Sequence, residues 1–291
     1  IRSCLVGSEM CIRDSLIFLS IFFLITYLST IGIKTNAFND QITKEVKKIN
    51  NQLELELDKI SIVLDPFKFK LVLKTIGANL KNKNKLIKLE SVKSNIDIKT
   101  FINKKFSLSE LNINTRTIEI KNLISFVRSI EDNPQIFILE KLVKKGYLIA
   151  DINLKFDQKG NIKDDFIIKG FVKDGEVKPF KKIDLSKINF IFTIQNNEFE
   201  FKDINLSYDN NDLKFPELIL IKQKNEFLIS GKNKNKNLIL DDKKINQLFN
   251  NVLSNVKFES AEFDLENTFS FKINDKYKID DLKISSLMNL K

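Results

Sequence analysis

From Leu53 onward, apolar and polar residues alternate one by one, and this period of two constrains the chain more than anything else in it. "LELEL" places Leu53, Leu55 and Leu57 on one side with Glu54 and Glu56 opposite. "FKFKLVLK" places Phe67, Phe69, Leu71 and Leu73 on one side, with Lys68, Lys70 and Lys74 opposite. Successive side chains of a strand point to opposite faces, so this alternation fits strands with one apolar and one wet face and does not fit a helix. It recurs in "LIKLESVKSNIDI", "FSLSELNI", "TIEIKN", "YLIADINLKFD", "DFIIKGFVKDG" (with Phe166 and Ile168), "INFIFTI", "EFEFKDINLSY", "ELILIKQ", "FLISGK", "NLIL", "VKFESAEFDLE" and "FSFKI". The spacing between these segments is short, so antiparallel hairpins and meanders are expected, in a mainly β body over residues 53–291. With 8 Gly and 4 Pro in the chain, the turns fall to Asn, Asp and Lys clusters: "DQKGN", and "KNKNK" from Lys81 and again from Lys232.

Helical spacing returns in few places. "NLISFVRSI" and "PQIFILEKLVKKG" predict a helix pair over residues 122–146, with Pro134 opening the second member and Gly146 closing it. "DDKKINQLFNNVLS" predicts another helix over 241–254. So few helices cannot cover so many half-apolar strands. Either a second sheet closes over the apolar face, giving a β-sandwich or barrel, or an elongated, curved antiparallel sheet keeps a greasy groove open.

Ahead of the strands, "LIFLSIFFLITYLSTIGI", Leu16 to Ile33, carries no charge and no proline. As a helix it spans about 27 Å, close to a hydrocarbon core of about 30 Å. The run is longer than a usual signal-peptide core, although "KTNA" (Lys34 to Ala37) offers a weak cleavage site. An uncleaved transmembrane anchor over 16–33 is expected, with Leu16, Phe18, Phe22, Phe23, Leu24, Tyr27 and Ile31 against lipid. Over 34–52, Phe38, Ile42, Val46 and Ile49 form one apolar stripe, and the lysines fall largely elsewhere. This juxtamembrane amphipathic helix can lie on the bilayer or pack on the first strands. Residues 1–15 read differently: Met10 to Asp14 can be written ATG TGT ATA AGA GAC, and "CLVGSEMCIRDS" looks like one frame of a transposon-end sequencing adapter. They are expected to be an adapter-derived artefact and are left out of the fold reasoning.

Both cysteines, Cys4 and Cys11, fall in that segment, and the chain has no His and no Trp. Thiolate and histidine chemistry and the usual transition-metal sites are thereby removed, so no catalytic residue, metal site or cofactor is expected. Acidic pairs such as Asp164-Asp165 and Asp280-Asp281 read as solvated turn residues. A net charge of +10 invites a nucleic-acid partner, but the arginines are only Arg2, Arg13, Arg116 and Arg128. The lysines are dispersed along the strands, so a solvated polar face is expected and no nucleic-acid partner.

The N-terminal span Leu16 to Ile33, the short helix "AFNDQI", the opening "LELELDKISIVLDPFKFKL" and the pattern "LESVKSNIDI…FSLSELNI…IEIKNLISFVRSI" together resemble the bacterial AsmA-like superfamily. The resemblance covers the chain after residue 15 at the level of pattern. It implies a single-pass bacterial inner-membrane protein whose bulk lies in the periplasm, folded as a taco-like groove. It also implies phospholipid or another acyl-chain lipid as partner, a non-enzymatic part in lipid transport between membranes and outer-membrane homeostasis, and envelope protein partners of unknown identity. The lining would then include Leu53, Leu55, Leu57, Phe67, Phe69, Leu71, Leu73, Phe166 and Ile168. The strands of 53–291 are too few to bridge two membranes at about 4.8 Å per strand, so an N-terminal piece of a longer protein is expected. The alternative is an anchored β-sandwich serving as a structural or protein-interaction module.

Overall fold

The structure is a computed structural model, described over residues 2–36, 39–98, 108–131, 133–157, 162–180, 183–209, 211–224, 226–241, 260–274, 276 and 278–291. The chain is mainly β: its 16 strands form an open antiparallel sheet, accompanied by four helices among the described residues. No closed barrel is formed by the described strands. The chain divides into two compact units, Ile1–Thr115 with Asn153–Asp164, and Arg116–Ile152 with Asp165–Lys291.

The first unit opens with α1 (Arg2–Thr30), whose stretch Arg13–Thr30 is long and apolar enough to cross a membrane and is not buried against protein. The hydroxyls of Thr26, Ser29 and Thr30 donate to the carbonyls of Phe22, Ile25 and Thr26 four residues back. Those polar groups are therefore satisfied inside the helix, as a hydrocarbon environment demands. Gly32, at φ +69°, turns the chain into β1 (Ile33–Thr35). α2 (Asn39–Ile49) follows, shorter than the 34–52 expected because Lys34 and Thr35 already pair with β3.

The strands of this unit are β2 (Leu53–Glu56), β3 (Ile60–Asp65), β4 (Lys70–Ile76), β5 (Asn79–Asn82), β6 (Lys85–Asp97) and β7 (Leu108–Thr115). They run in the order β1-β3-β4-β6-β7, with β5 pairing both β2 and β6. Ile60, Leu73 and Ile96 form the buried centre, and Ile42 of α2 packs on it with Leu57, Ile62 and Leu71. Of the two roles expected for the amphipathic helix, the structure shows packing on the first strands. Thr43 donates to the Leu55 carbonyl, and Asn39 to the carbonyls of Leu57 and Asp58, so α2 is also hydrogen-bonded to the chain beneath it.

Inside this unit Glu110 sits in a knot of amides. Its Oε2 accepts from Asn95 Nδ2 at 2.7 Å and its Oε1 from Asn153 Nδ2 at 2.6 Å, with Asn112 at 3.4 Å. Burial alone would raise the carboxyl pKa, but the bonds from Asn153, Asn112 and Asn95, with the charge of Lys70, outweigh it and hold the pKa below the ordinary value. A depressed folded-state pKa contributes stability that is present above the unfolded value, about 4.3, and is lost as pH falls through the folded value. We therefore expect thermal melts to weaken on acidification below that range, and Glu110→Gln to flatten this part of the pH profile. An unchanged profile in the Gln variant would show that other carboxylates carry it.

The second unit consists of β8 (Ile118–Glu119), α3 (Ile120–Ile130), α4 (Pro134–Leu142), β9 (Val143–Lys155, whose last residues Asn153–Lys155 belong to the first unit), β10 (Ile167–Phe180), β11 (Ile183–Gln195), β12 (Glu198–Tyr208), β13 (Asn211–Lys222), β14 (Glu226–Asp241), β15 (Ser260–Asn274) and β16 (Ile279–Leu290). It is a meander from β9 to β16, each strand pairing with the next in sequence, and β8 pairs with the start of β9. The helix pair lies as expected, except that its second member stops at Leu142; Gly146, at φ +135°, is inside β9 and does not cap a helix. The second "KNKNK" lies within β14 and does not form a turn: Asn233 accepts from Asn267 N and Asn235 from Lys214 N, tying both neighbouring strands. The helix expected over 241–254 lies outside the described residues apart from Asp241, which ends β14.

Candidate functional site

Cross-strand register in the second unit sorts its side chains into two unlike faces, because residues directly opposite each other in an antiparallel pair share a face. One row crosses β10 to β16 as Gly170, Phe192, Phe201, Leu218, Gly231, Phe269 and Ile284. It contains no polar side chain. Beside it on the same face runs Ile168, Ile194, Phe199, Leu220, Ile229 and Phe271. The adjacent row on the opposite face is Lys169, Thr193, Glu200, Ile219, Ser230, Ser270 and Lys283, with Ile219 its only apolar member.

The apolar face is held by contacts among its own rings. Phe190 meets Phe192 and Phe201 edge-on, at centroid distances of 6.2 and 5.6 Å, and Phe269 stacks beside Phe271 at 6.1 Å. Two rings lie over glycine: a Cβ on Gly170 would run into the Phe192 ring, and one on Gly231 would come within 2.7 Å of the Phe269 ring. At the β9–β11 end the face becomes a true core of Ala150, Val172 and Phe192, with Ile120 of α3, Leu148 and Ile168 packed on it. A cavity of about 220 Å³ opens there between α3 and the strands, lined by apolar side chains including Leu123, Val177 and Ile188, with Lys145 the charged exception.

Burial fades toward β16. Leu218, Leu220, Ile229, Phe269 and Phe271 are half-buried and Ile284 is 60% exposed. Among the described residues, no helix of this unit packs substantially on β13–β16. The opposite face is charged and internally paired: Lys202 meets Glu200 at 2.6 Å, and Lys272 lies 3.4 Å from Glu226 and 3.2 Å from Asp281. Hydrogen bonding to Asp281 and Glu226 holds the Lys272 pKa above its ordinary value.

The expected lining residues divide between these environments. Ile168 lies in the apolar face of the second unit, and half-buried Phe166 immediately precedes β10. Leu53, Leu55 and Leu73 are buried in the first unit, and Leu57 and Leu71 pack on the core that Ile42 of α2 joins. Phe67 and Phe69 do not share a strand with Leu71 and Leu73. Asp65-Pro66 starts a turn in which the Asp65 carboxylate accepts from Lys68 N, leaving Phe67 96% and Phe69 74% exposed. The sequence reading missed Phe192, Phe201, Leu218 and Phe269. Their signal was present in "INFIFTI", "EFEFK", "ELILI" and "FSFKI", but alternation within a strand does not say which strands meet.

The paired rows of this face present hydrocarbon and aromatic rings to whatever contacts it. Each methylene removed from water onto such a surface is worth about 0.8 kcal/mol. No family model, curated protein or solved structure matches this chain.

Proposed function

We propose that this is a membrane-anchored, non-enzymatic lipid-binding protein that holds acyl chains of phospholipid along the apolar face of β10–β16. The observation that carries the reading is the row from Gly170 to Ile284, which crosses seven strands without a polar side chain and has no described helix over its β13–β16 part. Successive positions along the rows are chemically alike, so a bound chain meets a series of shallow, near-equivalent sites. It can move between them without a specific polar anchor. Helix α1 would fix the protein in a bacterial inner membrane with its bulk in the periplasm, and the chain would take part in phospholipid transport and outer-membrane homeostasis, as the likeness to AsmA-like proteins implies.

The test is face-specific photocrosslinking in native membranes, with benzoylphenylalanine placed in the full chain at Phe201 or at Thr193 on the opposite face. Phospholipid adducts at 201 and their absence at 193 are the expected result. Equal labelling at both positions, or none at 201, would defeat the assignment.

One observation favours a second reading, a protein-interaction module. β16 pairs only with β15 among the described residues, so twelve residues present an unpaired backbone edge. Charges and an irregularity blunt its start at Asp280 and Asp281, but the stretch Leu282–Leu290 that follows carries a single charge, Lys283, and no proline. Strand addition there predicts loss of a partner on Ser285→Pro, while lipid adducts at 201 persist.

A further inference from the structure

α4 is a helix with no buried residue whose sequence, PQIFILEKL, is mostly apolar. Phe137, Ile138 and Leu139 are 40%, 54% and 48% exposed. Three consecutive residues at 3.6 per turn cover more than half the circumference, so apolar surface is left exposed well beyond the half-buried side of Ile136, Glu140 and Leu142, where Glu140 meets Arg128 of α3. A helix apolar on most sides is ordinarily found inside a protein or in contact with lipid. Here it stands at the surface, and its cap is well made: Asn133 accepts from Gln135 N at 2.8 Å and Pro134 occupies the first turn. The exposure therefore belongs to a formed helix.

The charges around it select the kind of surface that would cover it. Arg128 lies 4.7 Å from the centre of the Phe137 ring and Lys141 Nζ 5.4 Å from it, and Lys144 donates to the Lys141 carbonyl at 2.7 Å. Of the nearby acids, Glu140 is engaged by Arg128 and Glu176 by Lys145, and Glu131 follows α3. Apolar side chains ringed by lysines with long stems fit the boundary of an anionic bilayer: the apolar tips enter the acyl region while the ammonium groups stay at the phosphates. A protein partner would need carboxylates placed against the same lysines, and nothing on the helix fixes such a geometry.

We propose that α4 docks on an anionic bilayer surface through Phe137, Ile138 and Leu139, with Lys141 and Lys144 against lipid phosphates. This docking needs no lipid on the sheet face, so the two proposals can fail separately. It would bring the apolar cavity beneath α3 close to a source of acyl chains.

The chain has no tryptophan, so a single substitution gives a clean local probe. Full chain carrying Ile138→Trp, with Tyr208→Trp on β12 as reference, is reconstituted in vesicles of phosphatidylglycerol and phosphatidylcholine, with or without brominated acyl chains. Circular dichroism confirms that each variant folds. Blue-shifted emission at 138, with quenching at least about twofold stronger than at 208, is expected for an interfacial helix. Quenching should fall in pure phosphatidylcholine and when Lys141→Glu and Lys144→Glu are added. Red, unquenched emission at 138 would overturn the proposal. So would quenching that ignores both anionic lipid and the lysines, since lipid carried by the protein itself would then be the quencher.

Discussion

If the apolar face of β10–β16 holds acyl chains as proposed, Leu218→Asp should strip them from the protein while leaving the sheet assembled. Leu218 sits mid-row between Phe201 and Gly231, half-buried, on a strand whose register on both sides is fixed by ten pairs with β12 and six with β14. Contact with a fully buried leucine is worth about 1.5–3 kcal/mol, and a carboxylate at the same place must also be desolvated by the incoming chain. At 1.4 kcal/mol per factor of ten, affinity should fall by roughly ten- to a hundredfold. The control is Ser230→Asp, one strand over on the opposite face, where the new charge meets water. Native mass spectrometry with lipid extraction, after proteolytic removal of α1, reads the difference. Loss in both variants, or in neither, would mean that the sidedness of β10–β16 does not decide binding.

That sidedness was partly legible in the sequence. The period of two gave the class and most of the strands, because alternation is a local property of a pleated backbone. Pairing is not local, and the reading failed where a neighbouring strand or a turn overrode the pattern. Pro66 follows the end of β3 at the point where the apolar positions change phase, from Ile60, Ile62 and Leu64 to Phe67, Phe69, Leu71 and Leu73, and Phe67 and Phe69 fall in a turn. "KNKNK" at Lys232 reads as a turn by composition, yet Asn233 and Asn235 spend their side-chain oxygens on backbone N–H groups of β15 and β13. β16 was not expected, because "IDDLKISSLMNL" has an irregular pattern and takes its strand form from a ten-pair register with β15. Beyond Ile168, the membership of the apolar face of the second unit could not be read for a related reason: the face exists only once seven strands have been set side by side.

The same register leaves no room for a side chain at Gly170. An alanine Cβ there would meet the Ile149 carbonyl oxygen at 2.6 Å as well as the Phe192 ring, and a backbone carbonyl in the neighbouring strand cannot swing aside. Phe192 is itself confined, 8% exposed and edge-on to Phe190, so the ring has little room to retreat. Gly170→Ala should therefore cost about 1–3 kcal/mol as overpacking, lowering the melting temperature by roughly 2–4 °C for each kcal/mol. At Gly231 the nearest obstacle is the Phe269 ring at 2.7 Å, with the Glu217 carbonyl at 3.0 Å, and that ring lies on the half-buried part of the face. It can tilt, so Gly231→Ala should lose distinctly less. The comparison, read by thermal melts of both variants, measures how firmly each end of the face is held. A large loss at 170 and a small one at 231 would describe a surface anchored at the α3 end and yielding toward β16, where a chain sliding along the rows needs side chains that can give way. Equal losses would mean that Phe269 is held as tightly as Phe192, and that the face offers no softer end for an acyl chain to enter.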